Sequence, residues 1–115
     1  MLQLNVYGPY FGIPDASPFC LKGLMLLKMS GLPFETKKMD FRTAPKGKAP
    51  YLVDGEQTIA DSHFIMRHLE HEYGIDFSAG YSKTDLAKGW AVARMLEEHF
   101  YFLMVNYRWL VNENF

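Results

Sequence analysis

The chain has 115 residues, and its 12 Lys and Arg side chains against 13 Asp and Glu leave a formal net charge of −1. That length predicts one domain of ordinary size, with enough buried surface to need no cross-links. The single cysteine, Cys20, excludes an intramolecular disulfide framework and favours a reducing compartment, so we expect a cytoplasmic protein. The balanced charge gives no reason to expect nucleic acid or an anionic membrane as a partner, and no signal peptide is visible after Met1.

The first part of the chain predicts a strand, a helix and a second strand. Apolar and polar residues alternate over 2–7, which is typical of a half-buried strand. After a loop, apolar residues at three- and four-residue spacing predict a helix over 18–30, begun by Ser17 and ended by Gly31. Residues 32–39 read as a second strand.

The middle of the chain predicts a basic loop and a hairpin. Residues 40–49 form the loop, and 51–53 and 57–59 are short apolar strands. Asp54-Gly55 between them is a strong hairpin signal, so these two strands are expected to be antiparallel.

Two helices complete the predicted elements. One begins at Asp61 and ends at Gly74. After a connector over 75–82, a proline-free stretch with an apolar stripe predicts one long helix from Lys83 to about Val111. The element order suits one mixed sheet with helices on its faces.

Three stretches could carry chemistry, and the first is the helix start at Ser17. Free amides and the helix dipole favour a negative atom there, and a serine hydroxyl can donate a hydrogen bond to a thiolate. The alternative is that Ser17 is only an N-cap. Cys20, one turn into the helix, is expected to be a small buried hydrophobe rather than a nucleophile.

The second stretch surrounds Pro50, which follows a loop and precedes a strand. A cis bond at this position would leave the backbone of Ala49 fixed and exposed, able to pair with a peptide-like ligand. The alternative is a trans turn proline, which is far commoner for an arbitrary X-Pro bond. Lys46 and Lys48 add positive charge beside this turn.

The third stretch is Asp61-Ser62, where both residues present oxygens at a helix start. The amides there could take a ligand carboxylate while Asp61 faces a ligand ammonium. A plain N-cap is again the alternative. No metal site is expected. This helix has three histidines, but only His68 and His71 share a face, and no cysteine or acidic cluster joins them.

These stretches together carry a resemblance to a known family. They are Ser17-Pro18-Phe19-Cys20, Lys48-Ala49-Pro50-Tyr51-Leu52 and Thr58-Ile59-Ala60-Asp61-Ser62, with Arg94-Met95-Leu96-Glu97-Glu98-His99-Phe100-Tyr101 and Arg108-Trp109-Leu110 further along. The chain resembles the N-terminal domain of glutathione S-transferases plus the first helix of their C-terminal domain, in the branch that includes failed-axon-connections and metaxin-like proteins. The resemblance covers the whole chain.

The resemblance implies an α/β fold and a domain division. The fold would be a thioredoxin-like β-α-β-β-β-α mixed four-stranded sheet, followed by one long α-helix of a truncated helical domain. Residues 1–76 would form the glutathione-binding domain and 77–82 a linker. Residues 83–115 would begin an incomplete all-α domain, so the chain resembles a fragment of a longer enzyme.

The resemblance also implies a binding role for each site residue. Pro50 would follow a cis bond, and the backbone of Ala49 would pair with the cysteinyl part of glutathione. Asp61 and Ser62 would hold its γ-glutamyl end. Lys48, and also Lys46, would face its glycyl carboxylate.

The catalytic residue implied by the resemblance is Ser17, with Tyr7 as the alternative. Some classes of the family use a tyrosine at the end of the first strand, where Tyr7 stands, and others a serine or cysteine near the first helix. Ser17 is preferred because it lies at a helix N-terminus and Tyr7 does not.

The function implied is glutathione transfer, with glutathione as a substrate, no metal, a small electrophile as the second substrate and a role in detoxification. One alternative is a non-catalytic interaction module of the same fold. A thiol–disulfide oxidoreductase is less favoured, because one cysteine cannot complete a dithiol cycle.

The long helix predicts a partner. Residues 100–105 are apolar on every side, whereas a surface helix needs only one apolar stripe. Asn106 and Arg108 argue against a membrane span. We therefore expect residues 90–111 to pack against a second copy, as a homodimer, or against a missing C-terminal domain.

Overall fold

The structure, a computed structural model, describes residues 1–111 and Glu113. The end of the predicted helical region, at Asn112, Asn114 and Phe115, lies outside the described residues. The elements in chain order are β1 (Leu2–Val6), α1 (Pro18–Ser30), β2 (Phe34–Lys38), β3 (Tyr51–Asp54), β4 (Gln57–Ala60), α2 (Ser62–Tyr73), α3 (Lys83–Met95), a π-helical segment (Leu96–Phe100), α4 (Tyr101–Val105) and a second π-helical segment (Asn106–Leu110).

The four strands form one mixed sheet in the order β2-β1-β3-β4. β1 and β2 are parallel, because the crossover helix α1 returns the chain to the end of the sheet at which β1 begins. β3 is antiparallel to both β1 and β4. The hairpin turn is Gly55-Glu56, one residue later than the sequence signal, since Asp54 still pairs with Gln57 and Gly55 takes a positive φ of 59°.

The core of the first part of the chain lies between this sheet and the two helices α1 and α2. Its buried members are Leu2, Leu4, Val6, Cys20, Leu26, Leu27, Leu52, Ile65 and Leu69. The alternation along β1 puts its three core residues on one face. Helix α1 passes close to the sheet at Gly23, where a Cβ atom would come 3.4 Å from Leu4.

Both ends of α1 confirm the sequence prediction. Ser17 is extended and its hydroxyl accepts from the amide of Cys20, while Pro18 occupies the first helical position. At the other end Gly31 is left-handed (φ 72°) and its amide donates to the carbonyl of Lys28. These caps fix where the β1–α1 loop meets the helix.

The chain divides into two compact units, Met1–Phe77 and Ser78–Phe115. In the second unit, Ser82 and Asp85 form a reciprocal capping box at the start of α3. The long helix is confirmed, because the backbone stays helical from Lys83 to Leu110. Two five-residue stretches of it are π-helical, which the apolar spacing did not indicate.

The helical segments of the second unit bury none of their described residues. Large apolar side chains are therefore exposed along these segments, with exposed fractions of 67% for Leu103, 62% for Phe102 and 58% for Phe100. No helix within residues 1–111 is long and apolar enough to cross a membrane.

Candidate functional site

The start of α1 presents the hydroxyl of Ser17 at the carboxyl end of β1. Ser17 is half-buried, and its Oγ accepts from the amide of Cys20 at 3.4 Å. The same hydroxyl also bonds the Cys20 thiol, and this bond partly offsets the rise in the thiol's pKa. Ser17 therefore acts as the helix cap that the sequence predicted, and its hydroxyl proton lies at a helix N-terminus, where a negative atom is favoured.

Cys20 is confirmed as a buried residue, with no exposed surface. Burial is the main cause that raises the pKa of the Cys20 thiol to about 11, and the charge of Asp15 acts in the same direction. The amide of Tyr7 and the hydroxyl of Ser17 act in the opposite direction but do not overcome burial. This cysteine is a neutral thiol at physiological pH, unlike the activated thiolates of disulfide oxidoreductases.

Asp15 lies in the loop between β1 and α1, and the sequence patterns do not predict its role. Its side chain is fully buried. Oδ2 accepts from the amide of Gly8 at 2.8 Å, and Oδ1 accepts from the amide of Ser17 at 2.8 Å. The two-residue spacing from Asp15 to Ser17 is that of an Asx turn, which could have indicated one of these bonds. The bond to the Gly8 amide, which spans the loop, has no sequence signal.

Tyr7 lies immediately after β1 and is half-buried. Its hydroxyl accepts from the amide of Ala49 at 3.4 Å. The register explains this contact, because Asn5 pairs with Tyr51 in the antiparallel ladder, so the residues two further along meet as well. Tyr7 thus contacts the residue before Pro50.

The peptide bond between Ala49 and Pro50 is cis, as the resemblance implies. Pro50 is buried, and a Cβ atom on Gly23 would come 3.6 Å from its Cβ. The proline therefore packs onto α1, while Ala49 before it remains half-buried at the surface.

Asp61 lies next to Pro50 across the sheet, because Ala60 pairs with Tyr51 in the β3–β4 ladder. Its backbone has a φ of 69°, a conformation that non-glycine residues rarely adopt. Asp61 occupies the N-cap position of α2, and its carbonyl accepts from the amide of Ile65, but its side chain makes no cap hydrogen bond to the helix. Ser62, which follows it, is buried.

The carboxylate of Asp61 instead forms an ion pair with Lys46, with Nζ 2.6 Å from Oδ2. The same ammonium lies 6.0 Å from the centre of the Phe64 ring. Lys46 is therefore engaged at the Asp61 side of the site, whereas Lys48 is exposed.

An open groove of about 540 Å³ is lined in part by Tyr7. It is lined by the beginning of the β1–α1 loop, by Leu24 and Lys28 of α1, and by residues 36–38 of β2. Of the predicted site residues it includes only Tyr7, so it is separate from the turn at Pro50 and from Asp61. Within the described part of the chain, no three His, Cys, Asp or Glu side chains are grouped as a metal site would require.

The predicted site residues of the first unit thus meet at one end of the sheet. Asp15 links Ser17 to the residue after Tyr7, Tyr7 contacts Ala49, and Asp61 follows the strand that pairs beside Pro50. Loop ends and helix starts at the carboxyl end of β1 are a usual place for small polar ligands in α/β folds.

Comparison with known proteins gives this geometry a family. Residues 18–114 match the family described as glutathione S-transferase N-terminal domain. The isoprene-epoxide glutathione S-transferase of Rhodococcus sp. strain AD45 is 39% identical over 115 residues, covering 93% of this chain and 48% of that protein. Failed axon connections of Drosophila melanogaster is 32% identical over 98 residues, covering 84% of this chain and 23% of that protein.

The fold comparison agrees. A glutathione transferase homologue from Drosophila mojavensis, solved with bound glutathione, superposes with a TM-score of 0.58 at 29% identity, covering 86% of this chain and 48% of that one. The chain spans about half the length, or less, of these relatives. It belongs to the glutathione S-transferase N-terminal domain family.

Proposed function

We propose that this chain binds glutathione, stabilises its thiolate and presents it to a small electrophile, as part of a glutathione transferase. The observation that supports this most is the meeting of Ser17, Ala49 and Asp61 at one end of the sheet. Asp15 and Tyr7 contact the first two, and the β3–β4 pairing places Asp61 beside Pro50. The 39% identical relative is named a glutathione S-transferase, and a solved homologue holds glutathione.

Each part of glutathione has a suitable partner among these residues. The peptide backbone of the cysteinyl part pairs with Ala49 as an added strand residue. The γ-glutamyl ammonium takes the Asp61 carboxylate, while its carboxylate lies at the start of α2 beside Ser62. The glycyl carboxylate faces Lys48, and Lys46 joins it when the ligand ammonium replaces Lys46 at Asp61.

We assign to Ser17 the role of donating a hydrogen bond to the thiolate of bound glutathione. A hydrogen bond to a charged group contributes about 1.5–3 kcal/mol, and a helix N-terminus adds about 0.3–1 kcal/mol for a negative atom. Because one pKa unit corresponds to about 1.4 kcal/mol, these two effects together lower the pKa of a bound thiol by about one to three units. That is enough to make a large fraction of bound glutathione a thiolate near neutral pH.

The Ser17 hydroxyl must turn to do this. In the structure it bonds the Cys20 thiol, which is neutral. A thiolate is the stronger acceptor, so rotation of the hydroxyl toward the ligand sulfur gains a charge-assisted hydrogen bond in place of a weak one. In this proposal the Ser17 hydroxyl turns from the Cys20 thiol to the ligand sulfur before the thiolate attacks.

The proposed reaction is a nucleophilic attack by the sulfur of glutathione on the electrophile. The glutathione thiol releases its proton to solvent, and the thiolate sulfur attacks an electrophilic carbon. A carbon–sulfur bond forms while the carbon–leaving group bond breaks. For an epoxide, the class named for the Rhodococcus relative, the leaving oxygen stays attached and takes a proton from water.

The domain division 1–76, 77–82 and 83–115 is part of the proposal, and the compact units Met1–Phe77 and Ser78–Phe115 support it. The exposed apolar side chains of the second unit, such as Phe102 and Leu103, support a covering partner there. We assign that partner to a second copy or to further helices of a longer protein, and the electrophile site to the same region. Cytoplasmic location and a role in detoxification are part of the same proposal.

A non-catalytic interaction module is the second candidate. The 32% identity to Failed axon connections favours it, as does the hydrogen bond that already occupies the Ser17 hydroxyl. Such a module would keep glutathione affinity without lowering the pKa of the bound thiol.

Ultraviolet titration of bound glutathione against pH tests the transferase proposal. We expect the bound thiol to ionise at least about one unit below free glutathione in the wild type, and Ser17→Ala to reverse that shift. Ser82→Ala is the matched control, because Ser82 caps α3 through the same kind of hydroxyl bond, to the Asp85 amide at 3.1 Å. An unshifted thiol in the wild type would support the interaction module instead.

A further inference from the structure

Asp15 is the fully buried carboxylate beside the proposed thiol site, and no step of the proposed reaction uses it. Both of its oxygens accept backbone hydrogen bonds at 2.8 Å, from Gly8 and from Ser17. These amides stand at the two ends of the β1–α1 loop. One carboxylate therefore clamps the loop where it leaves the sheet and where it enters the helix.

The loop between these ends depends on such a clamp. Its side chains at Tyr10, Phe11 and Ile13 are exposed, and two backbone hydrogen bonds join Tyr10 to Ile13. An exposed loop of this kind does not by itself fix the distance between its ends. Asp15 does so by direct hydrogen bonds.

We propose that Asp15 is a positioning residue for thiol activation: by holding the Gly8 and Ser17 amides together, it fixes the Ser17 hydroxyl against the end of β1, where the ligand sulfur binds. This inference rests on the proposed function, because it gives Ser17 the thiol. Asp15 itself touches neither the substrate nor the reacting atoms.

The choice of a carboxylate supports a geometric role. A negative charge near the site opposes formation of a second one, and at Cys20 the Asp15 charge raises the thiol pKa. The charge of Asp15 therefore does not stabilise a bound thiolate. What it supplies is two acceptor oxygens in one rigid plane, whereas asparagine offers one acceptor and turns a donor toward the other amide.

The Asp15 carboxylate also contacts a titratable group on α1. Besides the Gly8 and Ser17 amides, it interacts with the Cys20 thiol, from the first turn of α1. The Tyr7 amide also bonds that thiol. The clamp thus lies beside Ser17 and contacts the neutral Cys20 thiol.

The test compares Asp15→Asn with Asp40→Asn in the full chain, using glutathione as the ligand. Asp40 is the matched control, because its Oδ1 accepts from the Arg42 amide two residues on, at 2.9 Å, in an exposed turn. We expect Asp15→Asn to raise the pKa of the bound thiol by about one unit, which is an about tenfold smaller acid dissociation constant. Asp40→Asn should leave that pKa unchanged.

A purely structural role would lower the melting temperature of Asp15→Asn and leave the bound thiol's pKa at the wild-type value, and this result would overturn the inference. Ser17→Ala separates the two hypotheses. If it raises the thiol pKa and Asp15→Asn does not, only the positioning role fails. If Ser17→Ala has no effect either, the proposed function and this inference both fail.

A measurement on the wild type covers the case in which the variant does not fold. The amide protons of Gly8 and Ser17 should exchange with solvent at least about a hundredfold more slowly than those of the exposed loop between them, with and without glutathione. Exchange at the rate of the exposed loop would overturn the clamp directly.

Discussion

Lys46 and Asp61 form an ion pair in which the lysine Nζ lies 2.6 Å from Oδ2 of the carboxylate. Their side chains are 56% and 47% exposed, so the pair adds little to stability. Its interest is chemical, because an ammonium already occupies the carboxylate that we assign to the γ-glutamyl ammonium. Binding of glutathione would therefore replace one ammonium by another at Asp61.

Asp61→Asn should weaken glutathione binding about tenfold, which corresponds to about 1.4 kcal/mol. The reason is loss of a charge-assisted contact in a partly exposed site. A glutathione analogue without the α-amino group should bind the variant and the wild type about equally. Calorimetric titration with both ligands measures this, with Glu56→Gln as an exposed control of equal charge change. Equal losses for the two ligands would contradict the assignment of Asp61.

Tyr7→Phe should leave the pKa of bound glutathione's thiol unchanged, because the Tyr7 hydroxyl accepts from the Ala49 amide and Ser17 is assigned the thiol. The variant should lose about 0.5–1.5 kcal/mol of unfolding free energy, as expected for one hydrogen bond. Urea unfolding and the thiol titration measure the two effects, with the exposed Tyr10→Phe on the same loop as the control. A rise in the thiol pKa as large as that in Ser17→Ala would reassign the catalytic hydroxyl to Tyr7.

Cys20 should resist alkylation in the folded chain. With its pKa raised from 9.0 to about 11 by burial, about one thiol in a thousand is ionised at pH 8, against about one in ten for an ordinary cysteine. Iodoacetamide labelling at pH 8 should therefore be at least about a hundredfold slower in buffer than in urea. Fast labelling of the folded chain, together with disulfide reductase activity that Cys20→Ser abolishes, would instead support an oxidoreductase.

Asp54 should make the stability of the chain fall in acid. Hydrogen bonds from His68 and Tyr73, both at 2.8 Å to Oδ2, hold the pKa of Asp54 below its usual value of 3.8. A carboxyl whose pKa is lower in the folded state stabilises the fold above its unfolded pKa, and that contribution is lost as pH falls through the folded value. The effect should appear below about pH 4.

Asp54→Asn tests this. The variant should be less stable than the wild type by about 1 kcal/mol at pH 6 and should lose less on going to pH 3. Urea unfolding at the two pH values measures the difference, with Glu56→Gln on the same hairpin as the control. Parallel pH profiles for wild type and Asp54→Asn would contradict the pKa assignment.

The fold could be predicted from the sequence because its signals are local. Alternation in β1, the Ser17 and Gly31 caps, and the glycine of the β3–β4 turn each act within a few residues. The π-helical segments could not be predicted, since a one-residue change in hydrogen-bond spacing hardly alters the apolar pattern of a long helix.

The site was predicted in part for the same reason. Ser17, Pro50 and Asp61 stand at loop ends that the sequence marks by residue type. The hydrogen bond from Gly8 to Asp15 joins residues seven positions apart, and the ion pair of Lys46 with Asp61 joins residues fifteen positions apart. Those contacts depend on how the loops fold over the sheet, which local patterns do not contain.

The most direct test of the account is calorimetric titration of glutathione into the 115-residue chain, because every proposed role depends on glutathione binding. We predict saturable binding at one site per chain, with a dissociation constant no weaker than millimolar. Absence of saturable binding at millimolar glutathione, in a chain whose circular dichroism shows it to be folded, would contradict the central claim.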